Sequence, residues 1–228
     1  MSDTTTSQPK TPSPPPQTFD YLLVLDFEAT CDENNPTFPN EIIEFPIVVL
    51  STRTLSTTTE FRTHIRPTIN PTLTQFCTSL TGITQDVVDA ADPFDIAFPR
   101  VVAFLKNLQG KEPDAKFAFV TCGDWDLKTM LPLQLNHSNI LASSVSPLFS
   151  KWINIKIPCF DYLAGLDGVI SNKKKKKGTR LGMAGMLEKL GLPLVGRHHC
   201  GIDDARNIAA IAKALVEKGV ILDITGSR

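Results

Sequence analysis

Residues 21–30 read YLLVLDFEAT, an apolar run that carries two acids near its end. This pattern is typical of a buried β-strand that delivers charge to the edge of a sheet. Side chains two positions apart in a strand point to the same face, so Asp26 and Glu28 should project together while Phe27 points into the core. Two adjacent carboxylates repel each other unless a cation lies between them. A solvated strand end is the alternative interpretation of this stretch.

The segments that follow predict one α/β domain with a mixed sheet. A three-strand meander followed by strand–helix alternation is typical of such a domain. Pro132 lies inside a helical pattern that begins after Asp124, and it should bend or end that helix. Further strands are predicted at 42–53, 58–66 and 117–122, and further helices near 71–80, 84–90, 93–108, 183–191 and 203–218.

Composition limits the class of protein. The 228 residues suffice for one well-buried domain, and 42% hydrophobic with 21% charged residues is ordinary for a soluble globular protein. A net charge of −1 gives no global basic field, although a local basic groove would be enough to bind nucleic acid. No apolar run reaches membrane-spanning length, so we expect a soluble protein of the cytoplasm or nucleus with no membrane partner. The scattered cysteines without CxxC spacing are interpreted as reduced thiols.

Residues 1–18 (MSDTTTSQPKTPSPPPQT) are rich in proline and carry almost no residue suited to a core. Such a segment cannot bury enough surface to offset the entropy lost on ordering. We therefore predict a disordered leader at 1–18 and a folded domain at 19–228. A tail recognised by a proline-binding domain is the alternative.

A second acidic motif, GDWD (123–126), follows the predicted strand at 117–122. Ligands of α/β sheets gather beyond the carboxyl ends of the strands, which is where these acids lie. Asp124 is well placed to cap the next helix, and Asp126 is the better candidate for a metal ligand.

A third motif, HHCGIDD (198–204), contains a histidine and an aspartate five apart in two registers, His198/Asp203 and His199/Asp204. Helical spacing favours the second register, because Asp204 heads an apolar stripe formed by Ile208, Ile211 and Leu215. Asp203 heads a more polar face, and we expect it to favour the helix N-terminus. In this register His198 should point away from the acids. A zinc site formed by His198, His199 and Cys200 is disfavoured, because adjacent residues rarely converge on one ion.

These motifs together offer the carboxylates of Asp26, Glu28, Asp126 and Asp204, with one histidine at their edge. Oxygen ligands favour magnesium or manganese over zinc. Two such ions about 4 Å apart can stabilise the attacking and leaving oxygens of a phosphodiester. His199, with an ordinary pKa of about 6.5, can accept the proton of an attacking water.

The three motifs, in this order, resemble those of the DEDDh 3′–5′ exonucleases, which have a ribonuclease H-like fold. The likeness is strongest to the enhanced-RNAi (Eri-1-type) RNA exonucleases and extends from Tyr21 to about Gly219. It is carried by LDFEATCDENNP (25–36), NEIIEFPIVVL (40–50), SLTGITQDVVDAADPF (79–94), KWINIK (151–156), MLEKLGL (186–192) and HHCGIDDARNIA (198–209).

The resemblance implies a mixed central sheet flanked by helices and a 3′–5′ exoribonuclease that acts on RNA with a free 3′-hydroxyl. It implies two magnesium ions, replaceable by manganese, held by Asp26, Glu28, Asp126 and Asp204, with His199 as general base. It further implies that Glu28, Ala29 and His199 contact the terminal nucleotide. Substrates of the family include histone mRNA stem-loops, small RNA duplexes and ribosomal RNA 3′ ends.

Two features depart from the family pattern. Animal members often carry a SAP module for stem-loop binding, where this sequence has the proline-rich leader. A five-lysine run, Lys173, Lys174, Lys175, Lys176 and Lys177, is interpreted as an RNA contact, a nuclear-localisation signal or a solvated loop. Alternative functions are an exonuclease with the same centre that acts on DNA or very short oligonucleotides, and a catalytically silent RNA-binding or scaffold protein.

Overall fold

The computed structural model describes residues 15–35, 37–166 and 181–228. Most of the predicted leader and the whole lysine run 173–177 lie outside the described residues. The strands are β1 (Tyr21–Val24), β2 (Glu28–Ala29), β3 (Ile42–Ser51), β4 (Ser56–His64), β5 (Phe117–Thr121), β6 (Lys151–Asn154) and β7 (Gly226–Ser227). The α-helices are α1 (Gln75–Thr81), α2 (Gln85–Asp89), α3 (Phe94–Lys111), α4 (Leu131–His137), α5 (Lys156–Leu166), α6 (Met183–Leu190) and α7 (Gly201–Glu217).

The strands form one mixed sheet, as predicted. β3, β1, β5, β6 and β7 are neighbours in this order, and both β2 and β4 also pair with β3. β1 runs parallel to β5 and antiparallel to β3. The described strands and helices therefore give the mixed central sheet flanked by helices that the sequence implies.

β1 and β2 are two parts of one interrupted strand. Val24 lies opposite Val48 and Glu28 lies opposite Glu44, so the antiparallel register on β3 is kept as far as Glu28 and shifts at Ala29, which lies opposite Ile42. The predicted strand 21–30 is correct in direction but not continuous. The interruption arises because the backbone N–H of Phe27 donates to the Asp126 carboxylate (2.9 Å) instead of to a neighbouring strand.

Alternating side chains of the central strands build a core on each face of the sheet. In β1, Leu22 and Val24 pack with the helices α5, α6 and α7, whereas Leu23 packs with α3 and α4. This alternation follows from the two-residue period of a strand. Both faces of the central strands are therefore covered, which fixes the positions of their carboxyl ends.

Several elements differ from the prediction. β6, α5 and β7 were not predicted, because β6 and β7 are short and α5 begins with a Lys-Ile-Pro sequence. Pro132 does not end its helix, since it lies in the first turn of α4, where a missing N–H costs little. A π-helical segment, Trp125–Met130, directly precedes α4. α7 begins at Gly201, slightly earlier than predicted.

Contacts with the folded domain begin before the predicted boundary at 19. The Gln17 side chain donates to the Val220 carbonyl (3.1 Å) and accepts from the Leu222 N–H (3.0 Å).

Among the described residues, no helix has the length and apolar character needed to cross a membrane.

Candidate metal centre

Asp26 and Glu28 lie where the β1–β2 strand is interrupted. Between them, Phe27 is buried and packs edge-on against Phe45 with ring centroids 4.6 Å apart. Asp26 and Glu28 project away from that aromatic pair and offer carboxylate oxygens to the same place as Asp204. The local sequence thus places two acids together while an apolar residue between them anchors the backbone.

Asp126 reaches this place from the π-helical segment that follows β5. Its side chain is buried, and one oxygen accepts the Phe27 backbone hydrogen bond described above. π-helical turns occur frequently at functional sites. The other acid of the motif has a different role from the one predicted: Asp124 makes no helix-capping hydrogen bond. It accepts instead from Trp152 Nε1 (2.9 Å) and Asn154 Nδ2 (3.2 Å), which ties the loop to β6.

Asp204 lies in the first turn of α7 and is buried. The apolar residues that follow Asp204 on the same face of α7 are fully buried in the core: Ile208, Ile211 and Leu215. One Asp204 oxygen accepts from the His199 backbone N–H (2.9 Å), and the other has no hydrogen-bond partner among the described residues. A buried carboxylate oxygen without a partner is costly unless a cation satisfies it.

Asp203, the neighbouring acid, is half-buried and fully paired. It accepts from the Arg197 backbone N–H (3.0 Å) and from Arg206 (3.0 Å). These partners, the backbone hydrogen bond first, lower the pKa of Asp203. The face below Asp203 is not weakly packed as predicted, because Asn207 is buried and bonds to both backbone groups of Val195.

The acids form a site whose donors suit a hard divalent cation. Asp26, Glu28 and Asp204 each offer one oxygen, and these oxygens lie within 4.8 Å of one another. Asp126 is not within that set, although its charge is near enough to raise the pKa of Asp26. Oxygen-only donors and the unpartnered Asp204 oxygen together fit magnesium or manganese.

The electrostatics of the cluster point to the same conclusion. Burial first, and then the neighbouring carboxylates, raise the pKa of Asp26 well above its ordinary value. Burial followed by the charge of Glu44 raises the pKa of Glu28 to about 8. Burial also raises the pKa of Asp126 to about 6, against the opposing effect of its backbone hydrogen bonds. These groups cannot all be ionised at neutral pH without added positive charge.

Lys156 is a cation near this cluster that the sequence analysis did not identify. It lies half-buried at the start of α5, and its charge lowers the pKa of both Asp26 and Asp126. Its ammonium group would lie 3.8 Å from a Cβ atom added at Gly123, next to the acidic motif. Lys156 could not be placed near the acids from sequence, because the strand that precedes it, β6, was not predicted.

His198 and His199 are exposed residues of the loop between α6 and α7. Their rings stack with centroids 4.0 Å apart, and each offers a nitrogen within 4.8 Å of the Asp204 carboxylate. His198 therefore does not point away from the acids as predicted: its Nε2 lies 4.0 Å from Asp204 Oδ2. From sequence, two adjacent histidines were not expected to approach the same point. They do so here because the backbone turns sharply between them.

That turn is centred on His199, which has a φ of 63°. A histidine rarely adopts this left-handed region, and such strain is concentrated at functional sites. Partial desolvation of the exposed ring, and then the positive charges of His198 and Arg197, lower the pKa of His199. The imidazole of His199 is thereby favoured in its neutral form.

Of the other predicted contact residues, Ala29 lies half-buried in β2, beside the acidic cluster. Its carbonyl accepts from the Cys77 thiol (3.7 Å), so its backbone is held by α1. The five lysines at 173–177 belong to the part of the chain outside the described residues.

Comparison with known proteins gives consistent matches over most of the chain. A family model described as Exonuclease matches residues 23–212. The human 3′-5′ exoribonuclease 1 is 41% identical over 207 residues, which is 90% of this chain and 55% of that protein. The chain thus spans little more than half the length of this curated relative.

Solved structures match equally well. A 3′-exonuclease engaged in 3′-end specific recognition of a histone mRNA stem-loop superposes with a TM-score of 0.78 and 38% identity, covering 93% of this chain and 68% of that one. The nuclease domain of 3′hExo, a DEDDh family member bound to rAMP, gives a TM-score of 0.77 and 39% identity, covering 92% of this chain and 98% of that one.

Proposed function

This chain belongs to the exonuclease family whose model matches residues 23–212, and we propose that it is a magnesium-dependent 3′–5′ exoribonuclease that releases 5′-mononucleotides. Its fold is the ribonuclease H-like α/β fold of the DEDDh exonucleases. The observation that carries the proposal is the convergence of Asp26, Glu28 and Asp204, with one buried Asp204 oxygen unpartnered among the described residues.

In this proposal Asp26, Glu28, Asp126 and Asp204 would hold two magnesium ions, which manganese could replace. When bound, the ions supply the positive charge that stabilises the attacking and leaving oxygens of a phosphodiester. The chain's own contribution is to hold the carboxylates close together in a buried setting. The raised pKa values of these acids support this role, because a cation would supply the charge that favours their ionised form.

His199 acts as the general base. Its lowered pKa keeps the imidazole neutral near pH 7, so that a ring nitrogen can accept the proton of the attacking water. The hydrogen bond from its backbone N–H to Asp204 holds the backbone of His199 next to the acids. Glu28, Ala29 and His199 are proposed to contact the terminal nucleotide, since Glu28 and His199 each offer an atom within 4.8 Å of an Asp204 oxygen and Ala29 follows Glu28 in β2.

The proposed substrate is RNA with a free 3′-hydroxyl, such as small RNA duplexes, structured RNA or ribosomal RNA 3′ ends, encountered in the cytoplasm or nucleus. The stem-loop and rAMP complexes of the related nucleases support this substrate class. Trp125, 44% exposed and directly before Asp126, offers an indole face on which a base can stack. The lysine run 173–177 is proposed as a further RNA contact.

The test incubates the purified chain with 5′-labelled single-stranded RNA, overhanging RNA duplex or DNA of the same sequence. Each substrate is given magnesium, manganese, calcium or EDTA. We expect stepwise shortening of RNA from the 3′ end with magnesium or manganese, none with EDTA, and a block by a 3′-phosphate. Faster loss of DNA than RNA would favour a DNA exonuclease, and binding without shortening would favour a silent RNA-binding protein. Hydrolysis that persists in EDTA, or internal cleavage of circular RNA, would contradict the proposal.

A further inference from the structure

Glu44 is a buried carboxylate that the proposed chemistry does not use. It lies in β3, opposite Glu28, and its side chain is 0% exposed. Its oxygens accept from three donors: Arg62 Nε (2.7 Å), the Ile202 N–H (3.1 Å) and the Gly201 N–H (3.2 Å). The last two donors belong to the first turn of α7, so Glu44 connects the sheet directly to that helix.

The first turn of α7 needs such an acceptor. The initial N–H groups of a helix have no partner within the helix, and the N-terminal end of its dipole favours negative charge. Cys200, at the N-cap position, makes no side-chain capping hydrogen bond. The Glu44 carboxylate therefore replaces the missing cap from a distant strand.

Gly201 makes this connection sterically feasible. A Cβ atom at this position would lie 2.8 Å from the Asp26 carbonyl oxygen and 3.2 Å from the Glu44 carboxyl carbon. Real side chains do not tolerate the first of these distances without a shift of the backbone. The start of α7 is thus packed as closely as possible against the strand that carries Asp26.

The position of α7 in turn sets the position of Asp204. Asp204 lies in the same turn as Gly201 and Ile202, and its backbone N–H donates to Cys200 (2.8 Å). The His199 backbone N–H orients the Asp204 carboxylate through Oδ2 (2.9 Å), and the other oxygen, Oδ1, has no hydrogen-bond partner within the described chain. The placement of that oxygen relative to Asp26 depends on where the helix begins.

We propose that Glu44 is a positioning residue of the metal centre, which holds the first turn of α7 so that Asp204 meets Asp26 and Glu28. This role depends on one part of the proposed function, namely that the three acids bind a divalent cation. Glu44 itself is occupied by Arg62 and the helix N–H groups, so it acts through Asp204 and not as a ligand. Groups that orient metal ligands commonly affect metal affinity or activity by about 10- to 100-fold when they are replaced.

The test compares Glu44→Gln with Glu41→Gln in the full chain. Glutamine keeps one acceptor oxygen but presents an amide N–H₂ toward donors. Glu41 is a matched control because it is similarly buried (1% exposed) and lies just before the same strand. Its carboxylate accepts instead from the backbone of the 68–70 loop, through Thr68, Ile69 and Asn70.

Four quantities are measured: manganese affinity from the electron paramagnetic resonance signal of free Mn²⁺, kcat and KM on single-stranded RNA, and Tm. We expect Glu44→Gln to weaken manganese binding and lower kcat by about 10-fold or more, with KM for RNA little changed. Glu41→Gln should lower Tm by a similar amount while leaving metal affinity and kcat close to wild type. Equal metal affinity and kcat in the two variants would overturn the proposal.

If Glu44→Gln does not fold, a comparison of two glycine substitutions tests the proposal instead. Gly201→Ala should weaken manganese binding in the same way, whereas Gly110→Ala, where no atom lies within 4 Å of the added Cβ, should not. Unaltered manganese affinity in Gly201→Ala would also count against the proposal. Should wild-type protein bind manganese but not degrade RNA, the proposed function fails while the affinity comparison still decides the role of Glu44.

Discussion

At the scale of the residue, two neighbouring aspartates of α7 have opposite environments. Asp204 is buried with one unpartnered oxygen, whereas Asp203 is paired with Arg197 and Arg206. We expect Asp204→Asn to lower the rate of RNA hydrolysis by several orders of magnitude and to abolish tight manganese binding. Asp203→Asn should retain most of the activity, because its partners lie outside the acidic cluster. Single-turnover rates and Mn²⁺ titrations check this. If Asp203→Asn were inactive and Asp204→Asn active, Asp203 and not Asp204 would be the metal ligand.

The two histidines allow a second comparison at this scale. His199→Ala should lose roughly 100-fold or more in kcat, the usual scale of a general base, while RNA and metal binding remain. His198→Ala should lose less, although its ring lies near Asp204 and stacks on His199. Measurement of kcat and Mn²⁺ affinity for both variants tests the assignment. A near-wild-type rate for His199→Ala with a severe loss for His198→Ala would reverse it.

Local periodicity explains which of these residues could be found from sequence. The apolar stripe below Asp204 identified that residue as inward-facing, and Ile208, Ile211 and Leu215 are indeed buried. Nothing local indicated Glu44, because its partner Gly201 lies 157 positions away. The stacked position of His198 was also beyond prediction, since it depends on the left-handed backbone of His199.

At the scale of the element, long apolar patterns were predicted well and short strands were not. The segments that form β1, β3 and β5 contain apolar runs, whereas β6 (KWIN) has polar residues at both ends and β7 has only two residues. The unrecognised β6 had consequences for the site. Asp124 was expected to cap a helix because its true partners, Trp152 and Asn154, belong to that strand.

The loop between α6 and α7 is attached to α1 by Arg197, which donates to the carbonyls of Ser79 (2.6 Å) and Leu80 (3.2 Å). Arg197→Ala should free the loop that carries His199 and lower kcat by about tenfold, the scale of lost supporting contacts around a site. Stability should change little, because the side chain is exposed. Hydrogen exchange of residues 195–200 should increase in this variant. The control is Arg100→Ala, which removes an exposed ion pair with Asp92. Equal exchange and kcat in both variants would exclude a supporting role for Arg197.

At the scale of the whole molecule, the order of the three acidic motifs along the chain was more informative than the composition. A net charge of −1 does not suggest a nucleic-acid partner. The motifs identified the family because each follows an apolar segment or begins a helix that directs it to one edge of the sheet. The sequence could not reveal how the metal-free domain tolerates these acids together.

The folded domain raises the pKa of all four acids, with burial as the first cause in each case. A carboxyl group whose pKa is higher in the folded state than in the unfolded state binds more protons when folded. The stability of the metal-free protein should therefore be greatest at low pH within the native range. It should fall as the pH rises from the ordinary carboxyl values near 4 through the value of about 8 for Glu28.

Thermal unfolding of the protein in EDTA at pH 5.5 and pH 8.5 tests this expectation. We expect a lower free energy of unfolding at pH 8.5, by a few kcal/mol, because each pKa unit corresponds to about 1.4 kcal/mol. Magnesium should stabilise the protein more at pH 8.5 than at pH 5.5, because protons and metal compete for the same oxygens. Glu28→Gln should be more stable than wild type in EDTA at pH 8.5, since it removes one repelling charge. Magnesium stabilisation that is independent of pH, together with no gain in Glu28→Gln, would mean that the acids are not a metal-dependent cluster.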